Sequence, residues 1–395
     1  VTHRRALIVS TARDRGSLAA VRALHRAGWT VGVGTPDGGG MVTASKACAR
    51  RHVVARPRGD SAAFVHDVQT AVRSGGYDIV FGAGDDWMAA LAEFREQIPV
   101  PVAHPPSSAV RIALDKLELA QAAARARITT PRTVAATPEA LRLWIGPVVV
   151  KCREHWSPGQ TMPYRIEAQR FDGPRQALPQ MERIHVAGAR AVLQKPVEGS
   201  LTALVGLFHH GRLDGRVQQI SSRVFPTPNG VSTRAHTVPV EDELAARAES
   251  LLSDIGWEGL VELQFLLAED GTPHLIDLNG RFYGSMALAD AARPGLAHTW
   301  ALRTLGEPTE ILQDAAVGHR YAWGAGDVRR AMVERRDSLT RDLGETVRWA
   351  RGARHSVWDL SDLGPTRQLV LDRLSLPVRS ARSRVGASHH STITW

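Results

Sequence analysis

The chain has 395 residues, 43% hydrophobic and 23% charged, with two cysteines and a formal net charge of +9. That length supports two or three domains with cores of their own, and no run of about twenty apolar residues is present to span a membrane as a helix. Cys48 and Cys152 make neither a disulfide framework nor a CxxC metal site. The positive excess gathers late in the chain, where residues 319–395 hold 14 Arg against 8 Asp or Glu. No aromatic-interleaved basic strand accompanies it, so a basic surface that draws small anions is expected in place of a nucleic-acid partner.

In chain order, "VTHRRALIVSTARD" opens with a strand, RALIVS. Its apolar core is too short and too broken by Ser, Thr and Arg for a signal peptide, and the cytoplasm is the expected compartment. A helix, GSLAAVRALHRAGW, follows, capped near Ser17, and then strands TVGVGT and RHVVAR. Helix SAAFVHDVQTAVRSG, strand YDIVFGA and helix DDWMAALAEFREQI complete an alternation that predicts a parallel sheet covered by helices. No GxGxxG follows the first strand and no GxxxxGK[ST] occurs. Asp85 and Asp86 read as the acidic start of a helix, where they suit the dipole and the cap.

HPPSSAV is a linker. Beyond it RIALDKLELAQAAARAR predicts a single helix before the strand in ITTPRTV, and Thr137-Pro138-Glu139 marks a helix start. GPVVVKC is a strand, REHWSPGQ a loop, and the segment from AVLQKPVEG onward reads as further strands. LFHHGRL marks a hairpin turn, at which His209 and His210 have no third metal ligand nearby in sequence. GLVELQFLLAEDGTPHLIDLNGRF is a hairpin turning at Asp270-Gly271. A two-residue loop there sets Glu262 opposite Asn279, with Asp277 on the same face of an otherwise apolar strand pair. Buried carboxylates need a partner or a metal. Oxygen donors without imidazole or thiol select a hard cation such as Mg²⁺, a hydrogen-bonded polar cluster at a sheet edge being the alternative. After His319 come scattered tryptophans and short basic helices, expected to pack back on the body and bury Trp323 and Trp349, then a mobile end of about fifteen residues.

Of the 49 basic residues only Lys46, Lys116, Lys151 and Lys195 are lysine. Where arginine has replaced lysine nearly everywhere, a surviving lysine is a candidate for a site that needs a compact, flexible ammonium.

From Val1 to Leu305 these motifs resemble the ATP-grasp superfamily, in its carbamoyl-phosphate-synthase-like or carboxylate–amine ligase branch. The hairpin is similar to that family's metal-binding strands, with Asp277 where a second Glu is common and Gly280 where Pro is common. The resemblance implies an α/β protein: a Rossmann-like pre-ATP-grasp domain (1–104), a two-lobed α+β ATP-grasp domain (105–190 and 191–305), and a mainly helical C-terminal extension (306–395). It implies that Lys116 and Lys151 contact nucleotide phosphates, and that Gln194, Lys195 and Val197 form the adenine hinge, with Glu198 on the ribose. Glu262, Asp277 and Asn279 would hold Mg²⁺, for which Mn²⁺ can substitute. Arg281 and Arg234 would serve the transferring phosphoryl group or substrate, Arg223 more weakly, and Trp156 would alter the flap after Lys151. The implied activity is ATP-dependent joining of a small carboxylate to an amine through an acylphosphate, and the family allows a homodimer. Carboxylation or phosphorylation of an acceptor, and non-catalytic nucleotide binding, are the alternatives.

Overall fold

The computed structural model describes residues 3–158, 166–228, 230–336 and 338–374. The first part is built as the alternation predicts, from β1 (Arg5–Val9), α1 (Arg15–Arg26), β2 (Thr30–Thr35), β3 (Cys48–Val53), α2 (Ser61–Gly75), β4 (Ile79–Gly82) and α3 (Asp85–Glu93). Its strands are parallel, in the order β3-β2-β1-β4. Asp14, not Ser17, caps α1: its carboxylate accepts from the Ser17 N–H at 2.5 Å. β3 starts three residues earlier than RHVVAR, because as an edge strand it can leave Arg50 and Arg51 in solvent while Val54 turns into the core.

The expected single helix at RIALDKLELAQ is two, α4 (Ser107–Leu114) and α5 (Lys116–Arg125). Asp115 breaks them: its backbone is extended and its carboxylate accepts from Leu117 N (2.8 Å) and Glu118 N (3.1 Å). A small lobe follows, made of β5 (Thr133–Ala135), α6 (Pro138–Arg142), β6 (Val148–Cys152), β7 (Gln169–Phe171), α7 (Pro174–Val186) and β8 (Ala191–Gln194). Its sheet runs β5-β8-β6-β7 over a core of its own that includes Trp144, Val150, Ile184 and Leu193. β8 belongs to this sheet, so the expected division after residue 190 cuts it from its partners; the polypeptide leaves the lobe at Lys195.

The large lobe comprises β9 (Ser200–His209), β10 (Arg212–Phe225), β11 (Val231–Val238), α8 (Asp242–Asp254), β12 (Gly259–Leu267), β13 (Pro273–Asn279), α9 (Met286–Ala292) and α10 (Leu296–Thr304). After it come β14 (Arg320–Ala322), α11 (Gly324–Glu334), α12 (Leu339–Ala350), β15 (Arg354–His355) and α13 (Gly364–Leu374). Three helices and two short strands make up the described part after Gly318, and it is not a separate layer. β14 and β15 complete a seven-stranded sheet in the order β13-β12-β9-β10-β11-β14-β15. Asp362, beyond β15, is clamped to the first domain by Arg22 Nε (2.8 Å), Ser45 Oγ (2.6 Å) and Lys46 N (3.0 Å). Trp323 and Trp349 are half-buried there, and the Trp349 indole donates to the Tyr321 carbonyl. The end expected to be mobile lies outside the described residues. One apolar cluster runs from Leu7 and Trp87 to Trp257 and Leu278, joining the first domain to the large lobe.

Candidate active site

The face of β12 and β13 carries the acid–amide group. Glu262 pairs with Asn279 in register, as the sequence predicts, though by a different route. The turn is longer than two residues: Ala268 and Thr272 still bond, and Gly271 takes φ +82°. A bulge between Gln264 and Phe265 then restores the register. Glu262 is only 2% exposed and accepts from Asn279 Nδ2 (2.8 Å) and Gln264 Nε2 (3.0 Å). Burial pushes its carboxyl up to about 7, against the pull of Arg281 and those two amides. A buried carboxylate held only by amide donors is short of positive charge, and all donors of the trio are oxygens. The site therefore fits a hard divalent cation.

Asp277 lies among cations. Burial alone would raise its pKa, but Lys116, His155 and Lys151 outweigh burial and hold it well below the usual carboxylate range. Lys116, 4% exposed at the first position of α5, pairs directly with Asp277. Lys151 reaches the same region from the end of β6, and His155 from the loop after it. Both phosphate-site candidates therefore act on Asp277, one of the metal-ligand candidates, Lys116 by direct contact and Lys151 through its charge. The hinge candidates begin at the last residue of β8: Gln194 donates to Thr133 Oγ1 (2.8 Å), and Lys195 N donates to the Arg132 carbonyl (2.9 Å). An adenine contact at Lys195 would thus use its carbonyl, leaving the N–H contact to Val197. Glu198 is exposed and pairs with Arg170 at 2.5 Å. A crevice of about 10 Å³ connects Lys116, Thr133 and Gln194 to Leu275 and Ile276 of β13.

Arg281 is gripped on two sides, by Asp85 Oδ1 at 2.9 Å and by Asn279 Oδ1 at 3.0 Å. Asp85 also meets His155 Nδ1 at 2.6 Å. The helix-start reading of Asp85 was therefore too narrow: Gly84 is the cap residue, and the buried Asp85 carboxylate ties the first domain to both the small and the large lobe. The available signal was its place just after the carboxyl end of a parallel strand, where such sheets present ligand groups. His104 adds another tie, accepting from Gly82 N (2.7 Å) at Nε2 and facing the Gly280 carbonyl (3.1 Å) with Nδ1.

Other expectations need correction. Arg234 is buried and spent on Asp327 (2.7 Å) and Thr346 (3.1 Å), so its guanidinium anchors α11 and α12. Arg223 meets Asp342 at 3.0 Å and Glu345 at 2.8 Å in the same network. Trp156 is 6% exposed and part of the main apolar cluster, and the last two residues of REHWSPGQ lie outside the described residues. Gly280 is required by packing, since a Cβ there would lie 2.0 Å from the Trp257 ring. His209 and His210 do gather a third group, Glu258, 3.0 Å from His209 Nδ1 and distant in sequence.

No family model and no curated protein matches the sequence. Solved structures do match the fold. An L-amino acid ligase from Bacillus licheniformis aligns with TM-score 0.61 at 15% identity, over 79% of this chain and 76% of that one. N5-carboxyaminoimidazole synthetase from Staphylococcus aureus gives 0.60 at 12% identity, over 85% and 87%. The biotin carboxylase domain of 2-oxoglutarate carboxylase from Hydrogenobacter thermophilus, solved with MgADP and bicarbonate, gives 0.62 at 12% identity, over 80% and 73%. With a small antiparallel lobe facing an acid-bearing hairpin, the chain has the ATP-grasp fold.

Proposed function

We propose that this protein is an ATP-dependent ligase that joins a small carboxylate to an amine. The observation that carries the reading is the meeting of Lys116, Lys151 and Arg281 with Glu262, Asp277 and Asn279 on one hairpin face. Lys116 and Lys151 neutralise the phosphates of ATP, and Gln194, Lys195 and Val197 line its adenine edge. Glu262, Asp277 and Asn279 would hold Mg²⁺, or Mn²⁺, which supplies charge neutralisation across the phosphate oxygens. Arg281, oriented by Asp85 and Asn279, presents its guanidinium to the phosphoryl group as it passes to the substrate carboxylate. That transfer yields an acylphosphate and ADP; the amine then attacks the acyl carbon, loses a proton and expels phosphate. The reaction needs positioning and charge stabilisation but no protein nucleophile.

The likeness to an L-amino acid ligase fits this reading, and the likeness to carboxylases fits an acceptor carboxylation at the same nucleotide site. Product mass separates them. Incubation with ATP, Mg²⁺ and mixed amino acids and amines should release ADP and form a product one water lighter than its two parts. ADP release that requires bicarbonate, or a product heavier by one phosphoryl group, would replace ligation with carboxylation or phosphorylation. Among the described residues no helix is long and apolar enough to cross a membrane. We place the enzyme in the cytoplasm, as a monomer or homodimer.

A further inference from the structure

The order β3-β2-β1-β4 reverses direction between β1 and β4. In open parallel sheets, ligands bind at the carboxyl ends of strands beside such a reversal. Two turns emerge there. The one after β4 carries Asp85, already committed to Arg281 and His155. The one after β1 carries Asp14 and Arg15. Asp14 turns inward, its Oδ1 accepting from both the N–H and the hydroxyl of Ser17. Arg15 is held differently. Its guanidinium lies 3.8 Å from the centre of the Trp323 ring, and its Nη1 donates to the Tyr321 hydroxyl at 3.1 Å. Tyr321 in turn donates to the Gly284 carbonyl at 2.8 Å. A Cβ on Gly284 would come within 3.1 Å of Arg15 Nη2, so that edge faces the backbone three residues beyond Arg281.

Arg15 is partly exposed, and among the described residues no carboxylate forms an ion pair with it. A planar fork fixed by a stacked indole and a tyrosine hydroxyl, with donors left over, is preorganised for a carboxylate. A single guanidinium beside Asp14 suits a monoanion better than a phosphate dianion. We infer that Arg15 is the subsite for the carboxylate of the amine substrate, which makes that substrate an α-amino acid or a similar carboxylate-bearing amine. The inference rests on the ligase reading for which substrate occupies the site, but not for the binding itself. It also gives the extension a part in recognition, since Tyr321 and Trp323 set the pose of Arg15.

The test is calorimetric titration of the full chain, with ADP and Mg²⁺ present, against the proteinogenic amino acids. The tightest binder is then compared with its carboxamide and with inorganic phosphate. Amidation should weaken binding about ten-fold or more, the equivalent of one charge-assisted hydrogen bond. Arg15→Met should weaken the amino acid similarly and leave the carboxamide unchanged, so the two losses do not add. Arg15→Lys, which keeps the charge without the fork, should fall between. Thermal melts of both variants establish that they are folded. A carboxamide that binds as well as the acid, an unchanged affinity in folded Arg15→Met, no amino-acid binding, or a loss confined to phosphate would each overturn the inference. Binding that depends on Arg15 without any ADP release on adding carboxylates and amines would sink the ligase reading and leave the subsite standing.

Discussion

Asp277 and Lys116 form a pair whose loss should be felt in stability and, on the proposed ligase reading, in turnover as well. Lys116 is buried and its ammonium meets Asp277 directly, so removing Asp277 strands that ammonium, whereas Asp277 without Lys116 keeps Lys151 and His155 near it. Asp277→Ala should cost about 3 kcal/mol of stability and nearly all Mg²⁺-dependent ADP release. Lys116→Met and Lys151→Met should each weaken nucleotide binding about ten-fold or more, read as ADP affinity by calorimetry. Unaltered affinity in both would move the nucleotide elsewhere. His104 makes a pH-dependent contribution of the opposite kind. Burial holds its folded pKa down to about 3, and it remains neutral between Gly82 N and the Gly280 carbonyl. An unfolded histidine titrates near about 6.5. The stability it confers is therefore complete above that value and is lost as pH falls toward the folded pKa, at up to about 1.4 kcal/mol per unit. Between pH 7.5 and 5 the wild type should lose about 2 kcal/mol more than His104→Gln, measured by denaturant unfolding at each pH.

At the scale of elements, β12 and β13 were legible because their alternation is strong and their turn residues are diagnostic. The register at Glu262 and Asn279 emerged correctly although the loop did not, since the longer turn and the bulge at Gln264 offset each other. The scarcity of lysine singled out Lys116 and Lys151, and both act on Asp277, by contact and by charge. Asp85 was not legible, because an acid that starts a helix and an acid that reaches across to another domain look alike in sequence. Arg234 misled for a related reason: Asp327 and Thr346, which absorb it, lie about a hundred residues further on. Gly280 stands where the resemblance makes proline common, and its missing side chain makes room for Trp257 and Met88. Gly280→Ala should therefore destabilise by about 1–3 kcal/mol and displace Asn279 and Arg281 together, so that both melting temperature and turnover fall. A variant with wild-type melting would mean that Trp257 can yield.

At the scale of the molecule, the extension is part of the main body. Its Asp327 and Asp342 neutralise Arg223 and Arg234 from the central sheet, and its Asp362 holds the first domain through Arg22 and Ser45. Deleting residues 319–395 should lower the melting temperature steeply and raise the binding of an apolar dye, since it bares a sheet edge and leaves Arg223 and Arg234 without their carboxylates; an unchanged melt would show that the extension is not docked. The small lobe is built on other terms. Among the described residues its core of Trp144, Val150, Ile184 and Leu193 forms a cluster of its own, while the first domain and large lobe share theirs. Cooperativity follows shared cores, so the small lobe is free to open as its own foldon while the remainder stays protected. Hydrogen exchange of the free protein should then show β6 and β8 losing protection before β1 and β12. A nucleotide held by Lys151 on one side and Glu262 on the other would tie the two units into a single transition, making ligand binding visible as a gain in cooperativity as well as in temperature.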